Sequence, residues 1–135
     1  MAELLRLVVH NYRCLREIDF SAAKINVVFG PNGVGKTTFL DALWFIRDCA
    51  LHGTADAASS RHHGIGALAD NAEPGDERIE IGIKTRTATY RVTFGYSSGR
   101  IEPFVGERLW SEARRITLVN RVVGSDQAEF YHEEF

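Results

Sequence analysis

A glycine-rich stretch early in the chain, residues 30–37 (GPNGVGKT), constrains the fold more than any other feature. It matches the pattern G-x-x-x-x-G-K-[ST]. Glycines at this spacing let the backbone adopt conformations that a side chain would oppose, so the stretch is a tight loop. The run before it, residues 25–29 (INVVF), is apolar on both faces, which predicts a strand buried in the middle of a sheet.

A helix is predicted directly after the loop, over residues 36–51. The stretch contains no Gly or Pro, and Gly53 stands where a C-terminal cap is expected. Its apolar residues extend around more than one side, so we expect the helix to be covered on two sides. These residues are Phe39, Leu40, Leu43, Trp44, Phe45, Ile46 and Cys49.

The rest of the chain alternates between apolar and polar residues, as strands do. Residues 4–10 and 18–20 predict a hairpin around a turn at 11–13. Further strands are predicted at 79–84, 88–94 and 116–123, with an edge strand containing Pro103 at 101–105. Strands that follow one another without helices are typical of an antiparallel layer.

The loop has the chemistry of a polyphosphate site. Its glycines let successive backbone N–H groups point inward, and the helix adds its own unpaired N–H groups and the positive end of its dipole. We predict that Lys36 brings its charge to the β- and γ-phosphates, that the Thr37 hydroxyl coordinates Mg²⁺, and that Thr38 donates to the α-phosphate. The predicted binding residues are Gly30, Pro31, Asn32, Gly33, Val34, Gly35, Lys36, Thr37 and Thr38.

The predicted fold class is α/β: a P-loop NTPase half-domain of strand, loop and helix with an attached antiparallel β-subdomain. Residues 1–53 form the P-loop core with the Walker A motif, 54–77 a flexible connection, and 78–135 the β-subdomain. A formal net charge of −2 on 135 residues gives no overall attraction to nucleic acid or anionic membrane. Cys14 and Cys49 lack metal-ligand spacing, and no apolar run reaches the roughly 18 residues of a membrane span. We therefore expect reduced thiols and a cytoplasmic protein.

The first 50 or so residues resemble the N-terminal lobe of the ABC-type ATPases of the SMC/RecF/OLD group, including the RecF-like predicted ATPases. In that group a strand ends in an Asn-aromatic-Arg turn, and G-P-N-G-x-G-K-[ST] opens a helix that carries L-D-A-[LI]. The matching segments here are residues 11–13 (NYR), 30–38 (GPNGVGKTT) and 40–43 (LDAL).

This resemblance implies ATP and Mg²⁺ as ligands, Lys36 as a catalytic residue, and Arg13 as a residue that reaches the nucleotide phosphates. It also implies a homodimer formed through the nucleotide heads, and DNA as a partner in maintenance or defence. A solvated turn residue is the alternative interpretation of Arg13. Tyr12 is predicted to be an aromatic residue at the edge of the core rather than a platform for adenine.

Hydrolysis by such ATPases needs an acidic pair after a hydrophobic strand, which holds Mg²⁺ through water and polarises the attacking water. The sequence contains no run of four apolar residues followed by Asp, and no signature motif of the group. Residues 97–100, Gln127 and His62–His63 are interpreted as turn and loop residues. We therefore expect a chain cut off before a C-terminal ATPase lobe, binding Mg-ATP weakly and inactive without that lobe.

Two other interpretations stay open. One is a β-rich regulatory or interaction module with a vestigial loop, which Mg-ATP binding by the wild type and by Lys36→Ala would test. The other is a small P-loop kinase. Kinases of that kind continue from the loop's helix into further helices and an Arg-rich lid, whereas this sequence continues into strands.

Overall fold

A seven-stranded antiparallel sheet and one long helix dominate the part of the chain that the structure describes. The structure is a computed structural model, and it describes residues 3–31, 33, 35–53, 56–57, 78–97, 100–101, 106–121 and 129–130. The elements are β1 (Leu4–Tyr12), β2 (Leu15–Ser21), α1 (Lys36–His52), β3 (Ile79–Thr85), β4 (Ala88–Phe94), β5 (Tyr96–Ser97), β6 (Arg100–Ile101), β7 (Gly106–Ser111), β8 (Ile116–Arg121) and β9 (Glu129–Phe130). The strand order of the sheet is β2-β1-β3-β4-β7-β8-β9, and β5 pairs with β6 separately.

The chain begins with the predicted hairpin. β1 and β2 pair in antiparallel register, with Val9 opposite Ile18 and Leu7 opposite Phe20. Alternation places these apolar residues on one face, which is the reason that the sequence pattern identified both strands. Arg13 and Cys14 form the turn between them. The hairpin prediction is therefore confirmed, with β1 two residues longer than the predicted 4–10.

The core lies between one face of the sheet and one side of α1. The sheet contributes the inward residues of β1, β3 and β4, and the helix contributes Ala42, Phe45, Ile46 and Cys49, all buried. The Phe45 ring centroid lies 4.9 Å from that of Tyr12 and 5.7 Å from that of Phe94. The helix is thus fixed to the end of β1 and to β4 by aromatic packing. The buried sheet residues of this core are Leu7, Val9, Tyr12, Leu15, Ile79, Ile81, Val92 and Phe94.

The predicted helix is confirmed. It spans Lys36–His52, and the N–H of Gly53, which has φ 87°, donates to the carbonyl oxygen of Cys49. The helix was expected to be covered on two sides, but the described residues cover one side of it. Leu40 and Trp44 remain 56% and 55% exposed.

The strand predicted at residues 25–29 is wrong. The segment belongs to no strand, and Ile25, Val27 and Phe29 are 83%, 79% and 87% exposed. The Asn26 side chain accepts a hydrogen bond from the N–H of Ala23 and donates one to its carbonyl, both at 2.8 Å, so the chain turns immediately before the apolar run. A central strand needs a paired neighbour on each edge, and the seven strands of the described sheet pair with one another instead.

Most later strand predictions are confirmed. Strands cover the positions predicted at 79–84 and 88–94, and β8 covers the first six residues of the one predicted at 116–123. The strand β7 was not predicted. Of the edge strand predicted at 101–105, only Ile101 lies within the described residues, paired with Tyr96. The 54–77 connection lies outside them except for Asp56 and Ala57.

β1, from the predicted P-loop core (residues 1–53), pairs with β3, from the predicted β-subdomain (residues 78–135). Strands of both parts therefore belong to one sheet. The segment that carries the glycine loop is therefore joined to the antiparallel layer through the middle of the sheet. Among the described residues, the structure shows no helix with the length and apolar character needed to cross a membrane.

Candidate functional site

The glycine loop leads directly into the N-terminus of α1. Gly35 is the N-cap residue, with φ 104° and ψ 14°, a conformation that residues with a Cβ rarely adopt. A Cβ built on Gly35 would also lie 3.1 Å from Cys14 Sγ and 3.2 Å from a Leu15 methyl group. Glycine is therefore required here twice, by backbone conformation and by the close approach of the β1–β2 turn.

Gly33, two residues before Gly35, must be glycine for a different reason. Its φ is 87°, and a Cβ placed on it would meet no atom within 4 Å. Asn32 and Val34, which flank it and belong to the predicted binding set, lie outside the described residues. Gly33 is thus glycine for its backbone conformation alone.

Lys36 bends back over the loop that precedes it. Its Nζ donates a hydrogen bond to the carbonyl oxygen of Gly30, which closes the loop from its last residue to its first. The ammonium group is consequently held over the loop, and the side chain is only partly buried. A cation in this position, next to the start of a helix, favours binding of an anion.

The described residues at the N-terminus of α1 include no acidic side chain and no side-chain cap that would occupy such an anion site. The first bond of the helix runs from the N–H of Phe39 to the carbonyl oxygen of Gly35 at 2.8 Å, so the N–H groups of Lys36, Thr37 and Thr38 precede the helical ladder. There is no acidic residue in the first turn and no side-chain cap. Thr37 is exposed, so its hydroxyl is open to a ligand or metal ion.

The β1–β2 turn lies against this end of the loop. Arg13 is exposed and has φ 51°, and the next two residues are those that approach Gly35 most closely. Arg13 is therefore placed, through its chain neighbours, beside the loop and the start of α1. The Asn11 side chain is buried and donates to the carbonyl oxygen of Arg78 at 3.2 Å. Tyr12 was predicted at the edge of the core, and it is fully buried within the core, where it is not exposed as a platform for adenine.

A cavity of about 600 Å³ opens beside the loop. It is large enough for a small organic ligand. Gly35, Lys36 and Phe39 form one side, and β2 with residues 27–29 forms the other. The complete lining is Leu15, Glu17, Ile18, Asp19, Phe20, Val27, Val28, Phe29, Gly35, Lys36 and Phe39.

Two carboxylates in this lining affect its electrostatics. Asp19 accepts two hydrogen bonds from Arg6, from Nε at 2.7 Å and from Nη2 at 2.6 Å. These bonds and the charge of the guanidinium lower the pKa of the Asp19 carboxyl below its ordinary value. Asp19 is thus neutralised as a pair, which leaves Glu17 as the lining carboxylate that would repel an anion most directly.

One contact at the site could not be expected from the sequence. The hydroxyl of Tyr12 donates to Oδ2 of Asp41 at 2.5 Å and so links the end of β1 to the second turn of α1. Both residues lie in the motif segments NYR and LDAL, but the sequence contains no signal that pairs them. Among the described residues, no three His, Cys, Asp or Glu side chains are grouped as they would be in a metal site. His62, His63 and Gln127 lie outside the described residues.

Comparisons with known proteins agree with the motifs. The family model described as an AAA domain matches residues 6–131. The chain is 33% identical over 90 residues to the DNA replication and repair protein RecF of Bacteroides thetaiotaomicron, an alignment that covers 62% of this chain and 24% of that protein. It is 49% identical over 45 residues to RecF of Psychromonas ingrahamii, covering 32% of this chain and 12% of that protein.

A second kind of relative matches around the loop. The chain is 50% identical over 40 residues to the OLD nuclease of Thermus scotoductus, covering 30% of this chain and 8% of that protein. The chain spans at most about a quarter of the length of these relatives. The resemblance to RecF- and OLD-like proteins seen in the motifs is confirmed by these matches.

Proposed function

The chain belongs to the AAA domain family, and we propose that it is the Mg-ATP-binding segment of a RecF- or OLD-like ATPase. The observation that carries the proposal is the arrangement at the start of α1. Lys36 is held over the glycine loop, and the first turn of the helix has no acidic residue that would compete with an anion. This combination favours a polyphosphate.

Each residue of the proposed site has a separate task. The N–H groups of the loop and of the first helical turn bind phosphate oxygens, with Gly33 and Gly35 permitting the backbone conformation. Lys36 gives up its hydrogen bond to Gly30 and donates to the β- and γ-phosphates instead. There its positive charge also stabilises the charge that develops during hydrolysis. Thr38 donates to the α-phosphate, and Arg13 adds a second cation from the β1–β2 turn.

The proposed metal site is the Thr37 hydroxyl. The hydroxyl is exposed in the first helical turn, next to Lys36, so it can reach an ion that also contacts the phosphates. Mg²⁺ bound there would offset the negative charge of the phosphate oxygens. Magnesium ions in such sites usually keep several waters and are also bound by phosphates and one or two carboxylates, so the acidic pair of a further lobe would complete the site.

We propose that hydrolysis requires a further lobe that supplies an acidic pair and a signature motif. The sequence has neither, and the matched relatives are about four times as long as the matched region or longer. Because such a lobe would contribute groups to the nucleotide of a partner head, we also propose an ATP-dependent homodimer. The chain by itself is then a weak Mg-ATP binder without turnover.

DNA is the partner that we propose for the intact protein, in the cytoplasm. The support is the relationship to proteins named DNA replication and repair protein RecF and to an OLD nuclease. The overall charge of −2 gives no general attraction to DNA, so contact would have to come from a local surface.

Calorimetric titration of the chain with Mg-ATP, up to millimolar concentration, tests the nucleotide proposal. Lys36→Ala is expected to lower the affinity about 10- to 100-fold, because it removes a charged hydrogen-bond donor from the phosphates. Lys24→Ala, which removes an exposed lysine outside the loop, is the matched control and should leave the affinity unchanged.

Two results would contradict the proposal. One is a folded wild-type chain, verified by circular dichroism, that takes up no Mg-ATP at millimolar concentration, as a vestigial loop would. The other is an equal affinity of the wild type and Lys36→Ala. Turnover by the chain alone that Lys36→Ala abolishes would keep the site but overturn the need for a further lobe.

A further inference from the structure

We propose that Tyr12 and Asp41 form a positioning pair for the nucleotide site. Their hydrogen bond fixes the β1–β2 turn against α1, so that Arg13 is presented to the phosphates bound by the loop. The inference rests on the proposed Mg-ATP binding and adds to it a residue pair that touches no ligand. Tyr12 and Asp41 act through Arg13 and are not themselves catalytic.

The hydrogen bond joins the two elements that the site depends on. Tyr12 is the last residue of β1, directly before Arg13, and Asp41 lies in the helix that begins at Lys36. The Tyr12 hydroxyl donates to Asp41 Oδ2 at 2.5 Å, and the Tyr12 ring, which is fully buried, contacts Phe45 one helical turn further on. A short bond from a hydroxyl to a carboxylate is among the stronger hydrogen bonds in proteins.

The backbone on either side of Tyr12 has a conformation that few residues with a Cβ adopt. Asn11 and Arg13 have φ of 56° and 51°, in the left-handed region that is unfavourable for residues with a Cβ. Residues in this region persist where surrounding contacts hold them, and such residues are frequent at functional sites. Here the hydrogen bond from Asn11 to the Arg78 carbonyl holds one side of the turn, and the bond from Tyr12 to Asp41 holds the other.

The residues after Arg13 are also held in place, by packing against the glycine loop. Cys14 and Leu15 approach the Cα of Gly35 so nearly that an added Cβ would lie 3.1 and 3.2 Å from their side chains. Arg13 thus lies between Tyr12, which is bonded to α1, and Cys14, which packs against Gly35. The Arg13 side chain is exposed, and its backbone lies beside the residues that approach Gly35.

Packing alone does not account for the hydroxyl. A phenylalanine at position 12 would keep the ring contact with Phe45, and Asp41 is only partly buried, so its carboxylate could be solvated. The Tyr12 hydroxyl therefore contributes a directional hydrogen bond rather than additional buried apolar area. A directional bond is what is needed to hold a neighbouring side chain in one position.

A double-mutant cycle on Mg-ATP affinity, measured by calorimetry on the full chain, tests the inference. Arg13→Ala is expected to lower the affinity about tenfold and Tyr12→Phe about fivefold. In the Arg13→Ala background, Tyr12→Phe should have no further effect, because the residue that it positions is gone. Asp41→Ala should behave like Tyr12→Phe, and Asp41→Asn, which keeps an acceptor oxygen, should restore the wild-type affinity.

Tyr90→Phe is the matched control. Tyr90 is partly buried, whereas Tyr12 is fully buried. The Tyr90 hydroxyl likewise donates to a carboxylate, Glu107 Oε1 at 2.6 Å, but Tyr90 lies on β4, outside the lining of the cavity beside the loop. We expect this variant to leave Mg-ATP affinity unchanged. Hydrogen exchange should separately show faster exchange at residues 12–15 in Tyr12→Phe, with α1 still protected, which distinguishes a loosened turn from general unfolding.

The outcomes separate the two proposals. If Tyr12→Phe lowers affinity equally with and without Arg13, or if Arg13→Ala has no effect, the positioning pair is wrong while the Lys36-dependent site stands. If the wild type does not bind Mg-ATP, or if Lys36→Ala does not change the affinity, both proposals fail.

Discussion

At the scale of single residues, Gly35 has two separate constraints on it, whereas Gly33, the other loop glycine with a well-defined positive φ among the described residues, has one. Its backbone lies at φ 104°, and the space where a Cβ would stand is taken by Cys14 and Leu15. Two separate costs therefore oppose any other residue at this position. Gly33 has only the first of them, which makes it possible to measure the two costs apart.

We predict that Gly35→Ala destabilises the fold more than Gly33→Ala does. Each change should cost about 1–3 kcal/mol for the positive φ, and Gly35→Ala should add the cost of moving the Cys14–Leu15 turn. Urea denaturation of both variants measures the difference in the free energy of unfolding. Cys14→Ala should recover part of the loss in Gly35→Ala and none of it in Gly33→Ala. Equal losses in the two glycine variants would contradict this account.

The residues of the site could be predicted from the sequence only in part. The loop pattern alone leads to the prediction of Lys36, Thr37 and the glycines as binding residues, because their chemistry depends on spacing along the chain, and these roles stay predictions. The contacts Tyr12–Asp41 and Cys14–Gly35 join residues that lie 29 and 21 positions apart in the sequence. Contacts at such separations depend on how β1, β2 and α1 pack, and no local pattern records that packing.

At the scale of elements, prediction succeeded where periodicity is local. The β1–β2 hairpin, α1, β3 and β4 each carry a pattern that is complete within the element itself. The strand β7 was missed because Leu109 and Trp110 are consecutive large apolar residues on opposite faces, which obscures the alternation. The strand predicted at residues 25–29 is wrong for a different reason. A buried strand needs neighbouring strands to pair with, and this segment pairs with none of the described strands.

The attachment of α1 to the sheet depends on Phe45. We predict that Phe45→Ala lowers the free energy of unfolding by about 3–5 kcal/mol, because it removes a fully buried ring that packs between Tyr12 and Phe94. Trp44→Ala, at the adjacent and 55% exposed position, should cost less than about 1 kcal/mol. Urea titrations followed by circular dichroism measure both. A larger loss for Trp44→Ala would mean that the helix buries its other side.

At the scale of the whole molecule, the apolar residues are divided unevenly between core and surface. The core between α1 and the sheet consists of buried apolar side chains, yet large apolar side chains at residues 25–29 and on the outer side of α1 are exposed. Large exposed apolar side chains that form one patch would mark a contact surface, whereas single ones are common on folded monomers. The two interpretations of residues 25–29, a buried central strand and an exposed segment, make different predictions about stability.

Replacement of valine by threonine distinguishes them, because threonine keeps the shape of valine and adds a hydroxyl. We predict that Val27→Thr, at a position 79% exposed, changes the free energy of unfolding by less than about 0.5 kcal/mol. Val9→Thr, at a fully buried position of β1, should cost about 1–3 kcal/mol, because its hydroxyl loses water without gaining a partner. The comparison requires urea denaturation of the two variants and the wild type under identical conditions. If Val27→Thr costs as much as Val9→Thr, residues 25–29 are buried in solution, either within the chain or between two copies, and a concentration dependence of the transition would identify the second case.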